Sequence, residues 1–203
     1  EQIKVVAVTK GVPVEKIRVA VSSGITAIGE NRVQELVAKQ KELGMEVEWH
    51  LVGHLQRNKV KYVVGKVALI HSVDSLRLAW EIDRRAQQMG TVMNVLLQVN
   101  VSGEETKYGV PPGEALDMVD KLSRLAGIKV VGLMTMAPEV DDPEQARPVF
   151  RGLKRLADEI GAARISGVDM GIISMGMSND FEVAIEEGAT LIRVGRIIFG
   201  LRK

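Results

Sequence analysis

The sequence contains no cysteine. That absence excludes disulfides, thiolate zinc sites and cysteine nucleophiles. Neither sign of charge is in excess, with 27 basic residues against 26 acidic ones. Such a balance gives no electrostatic footprint for a nucleic-acid backbone or an anionic membrane. No apolar run approaches the ~20 residues needed to cross a bilayer. The opening Glu1-Gln2-Ile3-Lys4 is no signal peptide, so a cytoplasmic setting is expected. An initiator Met is also lacking, and an upstream segment is expected to be missing. No Gly-x-Gly-x-x-Gly follows the first apolar run, which argues against a dinucleotide fold. There is no His-Glu-x-x-His, and His50, His54 and His71 lack metal-ligand spacing, so no metal site is expected. No Gly-x-Ser-x-Gly elbow supports a Ser-His-Asp hydrolase.

What is present is a globular composition, 46% hydrophobic and 26% charged over 203 residues. This length suits one domain, residues 1–203. Short β-branched runs at 5–9, 27–29, 48–53, 69–73, 94–100, 130–136, 170–175 and 191–195 predict eight strands. Amphipathic stretches at 14–22, 32–43, 56–64, 75–89, 113–125, 143–160 and 179–187 predict helices between them. Asp74-Ser75 and Asp142-Pro143 read as N-caps, and Gly24, Gly44, Gly90, Gly127, Gly161 and Gly188 sit where helices should end. Strict β–α alternation implies parallel strands with helical crossovers. The expected fold is α/β, a single small (β/α)8 TIM barrel, with an open doubly wound sheet as the alternative. Only residues 196–203 follow the last strand, so an outer helix is expected to be missing.

Barrel chemistry collects at the C-terminal strand ends. Lys10 directly follows the first strand, and an amine over the barrel mouth is suited to a Schiff base with an aldehyde. It is otherwise one surface lysine among 27 basic residues. Ser174-Met175-Gly176-Met177-Ser178-Asn179-Asp180 combines small residues with a helix start, which suits an anion. It reads equally as a tight turn with Ser178 or Asn179 as N-cap. Arg193-Val194-Gly195-Arg196 ends the eighth strand, so the two segments together fall where such barrels often hold phosphate. Arg193 has a plainer role as a rim ion-pair residue with Glu30 or Asp169, and Gly195 as a turn. Asp74 reads as a cap rather than an acid, and Met134, Met136, Met170, Met175 and Met177 as barrel filling.

These residues, read in order, are similar to the pyridoxal phosphate homeostasis protein family, relatives of the alanine racemase barrel domain. The matching stretches include Ala7-Val8-Thr9-Lys10, Gly29-Glu30-Asn31-Arg32-Val33, Trp49-His50-Leu51-Val52-Gly53-His54-Leu55-Gln56 and Ser72-Val73-Asp74. They continue through Gly132-Leu133-Met134-Thr135, Ser174-Met175-Gly176-Met177-Ser178 and Arg193-Val194-Gly195-Arg196. The resemblance implies pyridoxal 5′-phosphate (PLP) as cofactor and Lys10 as its Schiff-base lysine. It implies Ser174, Gly176, Ser178 and Gly195 around the phosphate, Arg193 beside the pyridine nitrogen, and Asn31 near the cofactor. Met136 falls where the racemase relatives place a residue stacked on the ring. Family members usually begin with a helix before the first strand, which this chain does not have.

Two functions follow from the resemblance. One is a PLP carrier in cofactor homeostasis, a monomer whose partners are PLP and apo PLP-dependent enzymes. The alternative is a weak PLP-dependent amino-acid racemase. The carrier is preferred because a racemase needs a second acid/base opposite Lys10, and neither Tyr62 nor Tyr108 aligns with that role. An arginine beside the ring nitrogen also disfavours its protonation and weakens the ring as an electron sink. A phosphate-binding barrel enzyme without PLP is the reading that the residues leave open.

Overall fold

Runs of β-branched residues too short for helices alternate with longer amphipathic stretches, and in the computed structural model this alternation closes into a barrel. The structure describes residues 3–44 and 47–200. Its eight strands are β1 (Lys4–Val8), β2 (Ala27–Glu30), β3 (Glu48–Leu51), β4 (Leu69–Val73), β5 (Met93–Gln98), β6 (Ile128–Met134), β7 (Ile172–Ser174) and β8 (Leu191–Val194). All are parallel and pair in chain order, and β8 returns to β1 with Lys4 opposite Leu191 and Val6 opposite Arg193. Closure leaves no sheet edge. The expected barrel is therefore the fold realised, not the open sheet.

The helices are α1 (Val14–Ser22), α2 (Val33–Leu43), α3 (Leu76–Gln88), α4 (Ala115–Ser123), α5 (Arg147–Ala162), α6 (Phe181–Glu186) and α7 (Arg196–Phe199). Residues 201–203, part of the C-terminal stub, lie outside the described residues, as do Glu1 and Gln2. The expected helix at 56–64 is instead a 3₁₀ segment, Arg57–Tyr62. Gln56 provides no side-chain cap there, and Arg57, Lys59 and Lys61 crowd like charges onto one short stretch. β5 and β6 begin and end earlier than the apolar pattern suggests, and just past the end of β5 Val99 bridges to Val110 while Asn100 N donates to the Val110 carbonyl. Gly161 does not end α5, which runs on through Ala162, and the left-handed conformation falls at Arg164 (φ 49°).

The period of two along each strand sorts side chains into two compartments. Residues such as Val6, Ala27, Val52, Leu69, Leu96 and Leu191 meet inside the barrel. Their neighbours on the same strands, such as Ile28, Trp49, Ile70 and Ile192, pack outward against helix residues including Leu36, Ile82 and Leu153. Of the methionines expected to fill the barrel, Met134 does so. Met175 is buried in the outer layer, Met170 and Met177 are half-buried, and Met136 is 37% exposed at the mouth. Among the described residues no helix is long and apolar enough to cross a membrane.

Candidate functional site

The C-terminal ends of the strands surround a cavity of about 610 Å³. Lys10, Asn31, Met136, Ser178, Arg193 and Gly195 line it, with Met177, Asp180, Arg196 and Lys107. The structure thus brings together most of the residues singled out in the sequence. Ser174 and Gly176 are buried and are not part of this lining.

Lys10 reaches the mouth because of what happens on the other side of β1. Thr9 points outward, where its Oγ1 donates to Glu30 Oε1 at 2.5 Å. From α2, Lys39 Nζ donates to the Thr9 carbonyl and to Glu30 Oε1, both at 2.6 Å. This buried clamp fixes the backbone at Thr9 and leaves the next side chain to face inward. Burial pushes the Glu30 carboxyl up, against the bonds from Lys39 and Thr9. Glu30 is consequently the partner of Lys39, and it is not available to Arg193. Asp169 accepts from its own loop at Gly171 N, 2.9 Å away, so neither expected rim partner of Arg193 serves it.

Arg193 instead enters the barrel interior. Its Nη1 donates to Ser174 Oγ at 2.6 Å and its Nη2 to the Thr135 carbonyl at 2.9 Å. Complete burial lowers its pKa to about 10, opposed by the charge of Asp180, so it stays a cation at neutral pH. Ser174 therefore spends its hydroxyl on this guanidinium and on His71, whose Nδ1 is 2.9 Å away.

The anion end is built by two loops. Asp180 is the N-cap residue of α6, and its Oδ1 accepts from Met177 N at 2.6 Å. Burial raises the Asp180 carboxyl, opposed by that N–H bond and by Arg193. Neither Ser178 nor Asn179 is the cap. The Ser178 hydroxyl oxygen instead accepts from Gly195 N at 3.2 Å and Arg196 N at 3.1 Å. Two backbone N–H groups that converge on one oxygen are an arrangement that an anionic oxygen also satisfies. Gly176, at φ +87°, holds the first loop in a left-handed turn, and a Cβ there would meet Ala184 Cβ at 2.6 Å.

Asn31 stands at the end of β2, with its Oδ1 buried and without a partner among the described residues. Its backbone is pressed against Gly53, where an added Cβ would lie 2.2 Å from the Asn31 carbonyl oxygen. Gly53→Ala is therefore expected to cost about 2 kcal/mol by overpacking. A fall in Tm of roughly 4–8 °C would report this, and an unchanged Tm would show that the two strand ends can separate freely.

Nearby, the Asp74 carboxylate lies 3.3 Å from His54 Nδ1, while Ser75, not Asp74, caps α3 by accepting from Leu78 N. His54 stacks on Tyr108 at 4.0 Å between ring centroids. The Lys39–Glu30–Thr9 clamp was not foreseen from the sequence, whereas Asp180 and Arg196 fell within the two segments expected to hold an anion but were given no individual role. Position at strand ends was the only signal available for the latter pair.

The family profile described as "Alanine racemase, N-terminal domain" matches residues 1–203. A relative called "Pyridoxal phosphate homeostasis protein" from Aquifex aeolicus (strain VF5) is 49% identical over 201 residues, which cover 98% of this chain and 87% of the relative. Among solved structures, PipY of Synechococcus elongatus PCC7942 without PLP matches with a TM-score of 0.91 at 38% identity, over 98% of this chain and 93% of that one. The same protein with PLP bound matches with a TM-score of 0.88 at 36% identity, over 98% and 92% of the two chains.

Proposed function

This chain belongs to the pyridoxal phosphate homeostasis protein family, and from that premise we propose that it is a PLP carrier which holds the cofactor reversibly on Lys10, with the phosphate gathered after β7 and β8. One observation carries the reading: an inward lysine at the end of β1 and two converging N–H groups at the start of α7 open into the same cavity.

The residues present fit PLP. The cavity volume lies within the usual ~300–1,000 Å³ for small-ligand sites. The buried Asn31 Oδ1 is an acceptor in need of a donor, and the Ser178 oxygen occupies a point where a phosphate oxygen would satisfy the same two N–H groups. Cations outnumber anions around the mouth, since Lys10, Lys107, Arg193 and Arg196 face Glu139 and Asp180. That excess draws an anionic ligand inward.

When bound, PLP supplies an aldehyde that condenses reversibly with an amine. Lys10 provides the amine, and the outer clamp keeps its stem directed over the mouth. The N–H groups of Gly195 and Arg196 would bind a phosphate oxygen in place of the Ser178 oxygen, and the freed Ser178 hydroxyl would donate to the same phosphate. Arg193 would present a charged edge to the pyridine nitrogen and keep a proton off it. Met136 and Met177 form apolar walls that exclude water from the ring.

The carrier reading is preferred over the racemase because, among the described residues, no tyrosine lines the cavity. Tyr62 lies exposed in the 3₁₀ segment and Tyr108 is occupied by stacking on His54. Apo PLP-dependent enzymes are the proposed recipients, in the cytoplasm, from a monomeric carrier. Racemisation of amino acids by the loaded chain separates the two: the expected rate is no faster than that with free PLP. Turnover on the order of 1–10³ s⁻¹ would establish an enzyme instead.

A further inference from the structure

Two histidines inside the barrel take no part in the binding described above. His50 on β3 is 1% exposed and His71 on β4 is 0% exposed. His50 Nδ1 lies 2.8 Å from His71 Nε2. On the far side, His50 Nε2 lies 3.0 Å from Glu48 Oε1, which also accepts from Lys4 Nζ at 2.6 Å. On the near side, His71 Nδ1 meets the Ser174 hydroxyl that accepts from Arg193. Glu48 and Lys4 stand at the N-terminal ends of their strands and are partly exposed, so the chain of contacts runs from the barrel floor to the mouth.

The chemistry of the two ends fixes every proton between them. Arg193 can only donate. Glu48 is an ionised acceptor, its carboxyl held down to about 2 chiefly by the bond from His50. With neutral rings, His50 must carry its proton on Nε2, facing the carboxylate, which leaves Nδ1 bare. His71 must then carry its proton on Nε2 and leave its own Nδ1 bare. The Ser174 hydroxyl must donate to that nitrogen, so an oxygen lone pair is left for Arg193. Burial, the foremost cause, holds both rings neutral against the pull of Glu48 on His50, aided at His71 by the charges of Arg193 and Lys4.

We propose that His50 and His71 are positioning residues for the cofactor site: they hold the Ser174 hydroxyl as a donor directed away from Arg193, and so fix the guanidinium edge that faces the pyridine nitrogen. This inference rests on the reading of Arg193 given under Proposed function. The guanidinium is held here by two neutral oxygens, Ser174 Oγ and the Thr135 carbonyl, so its charge is not consumed by a bonded carboxylate. Were His71 to present an N–H to Ser174, the hydroxyl proton would be driven toward Arg193 or the cavity, and the guanidinium would lose this fixed acceptor.

The first test needs no cofactor. In ¹⁵N-histidine NMR of the apo protein near neutral pH, both rings are expected as neutral Nε2–H tautomers. An Nδ1–H tautomer or an imidazolium at either ring would overturn the relay. The second test follows the visible absorption of the PLP-loaded protein against pH. His71→Phe is expected to move the ring-nitrogen titration upward by about one unit, a tenfold gain in proton affinity, with borohydride labelling still on Lys10. Ser174→Ala, which breaks the same link without altering either ring, is expected to move it likewise and serves if His71→Phe fails to fold. Lower thermal stability with an unmoved titration would reduce the histidines to packing and overturn the proposal. Absence of any label on Lys10 in the unaltered chain would instead defeat the PLP reading, and the apo-protein tautomers would still judge the relay.

Discussion

Lys10→Ala is expected to abolish covalent capture of PLP. The visible band of the loaded protein should vanish, and borohydride reduction followed by peptide mapping should find no modified lysine at the barrel mouth. The fold should be unaffected, because Lys10 is a half-buried residue on a cavity wall rather than part of the packed interior. Substitutions of that kind usually fall within about ±0.5 kcal/mol. PLP affinity should fall at least tenfold, or ~1.4 kcal/mol, since the phosphate and ring contacts from Ser178, Gly195, Arg196 and Arg193 survive without the bond. Lys10→Arg separates charge from chemistry: it keeps a cation at the mouth but cannot condense, so it should lose the label while phosphate-dependent binding persists. A label that stays on scattered surface lysines in the unaltered chain would sink the assignment of Lys10. Loss of all binding in Lys10→Ala, with the fold retained, would show that the phosphate loops hold little on their own.

The barrel was readable because its signals are local. β-branched runs of a few residues, bounded by caps such as Ser75 and by glycines such as Gly44 (φ 70°), specify where each strand and helix turns over. Lys10 and Gly195, each directly after a strand, and Arg193, on the inner face of β8 near its end, were readable as cavity residues because the C-terminal strand ends gather at the barrel mouth. What was not readable depends on partners far apart in sequence. Lys39 meets Thr9 and Glu30 only once α2 has folded back over β1 and β2. The line from Glu48 through His50, His71 and Ser174 to Arg193 joins four strands, and its register is a property of the closed barrel. A partial signal did exist: Glu48 and His50, two apart on a strand, must share its inner face. Ser174 shows the limit of reading by position alone, because its hydroxyl faces the barrel axis and is committed to Arg193 and His71.

The same line of residues makes the fold sensitive to acid. In the unfolded chain His50 and His71 take up protons near pH 6.5. In the native barrel burial holds both below that value, His71 well below it. Below about pH 6.5 the unfolded state therefore binds more protons than the native state, so stability must fall as pH falls, until the native rings are themselves protonated. Two such groups give a slope of up to about 2.7 kcal/mol per pH unit. Glu30 and Asp180 act in the opposite sense, since burial raises both and the native state protonates them first as pH falls. Glu48 adds a further loss lower down, between its ordinary carboxylate value and about 2. The histidine contribution is isolated by comparing urea unfolding of the unaltered chain and of His71→Phe over about pH 7.5 to 5.5. The variant starts less stable, but its stability should decline less steeply, by about 1.4 kcal/mol per pH unit, because one proton has been removed from the balance. Parallel curves would mean that His71 already binds its proton in the native state, a condition under which its Nδ1 could not accept from Ser174. A steeper decline in the unaltered chain would mean that the two rings which orient Arg193 also set the acid limit of the barrel.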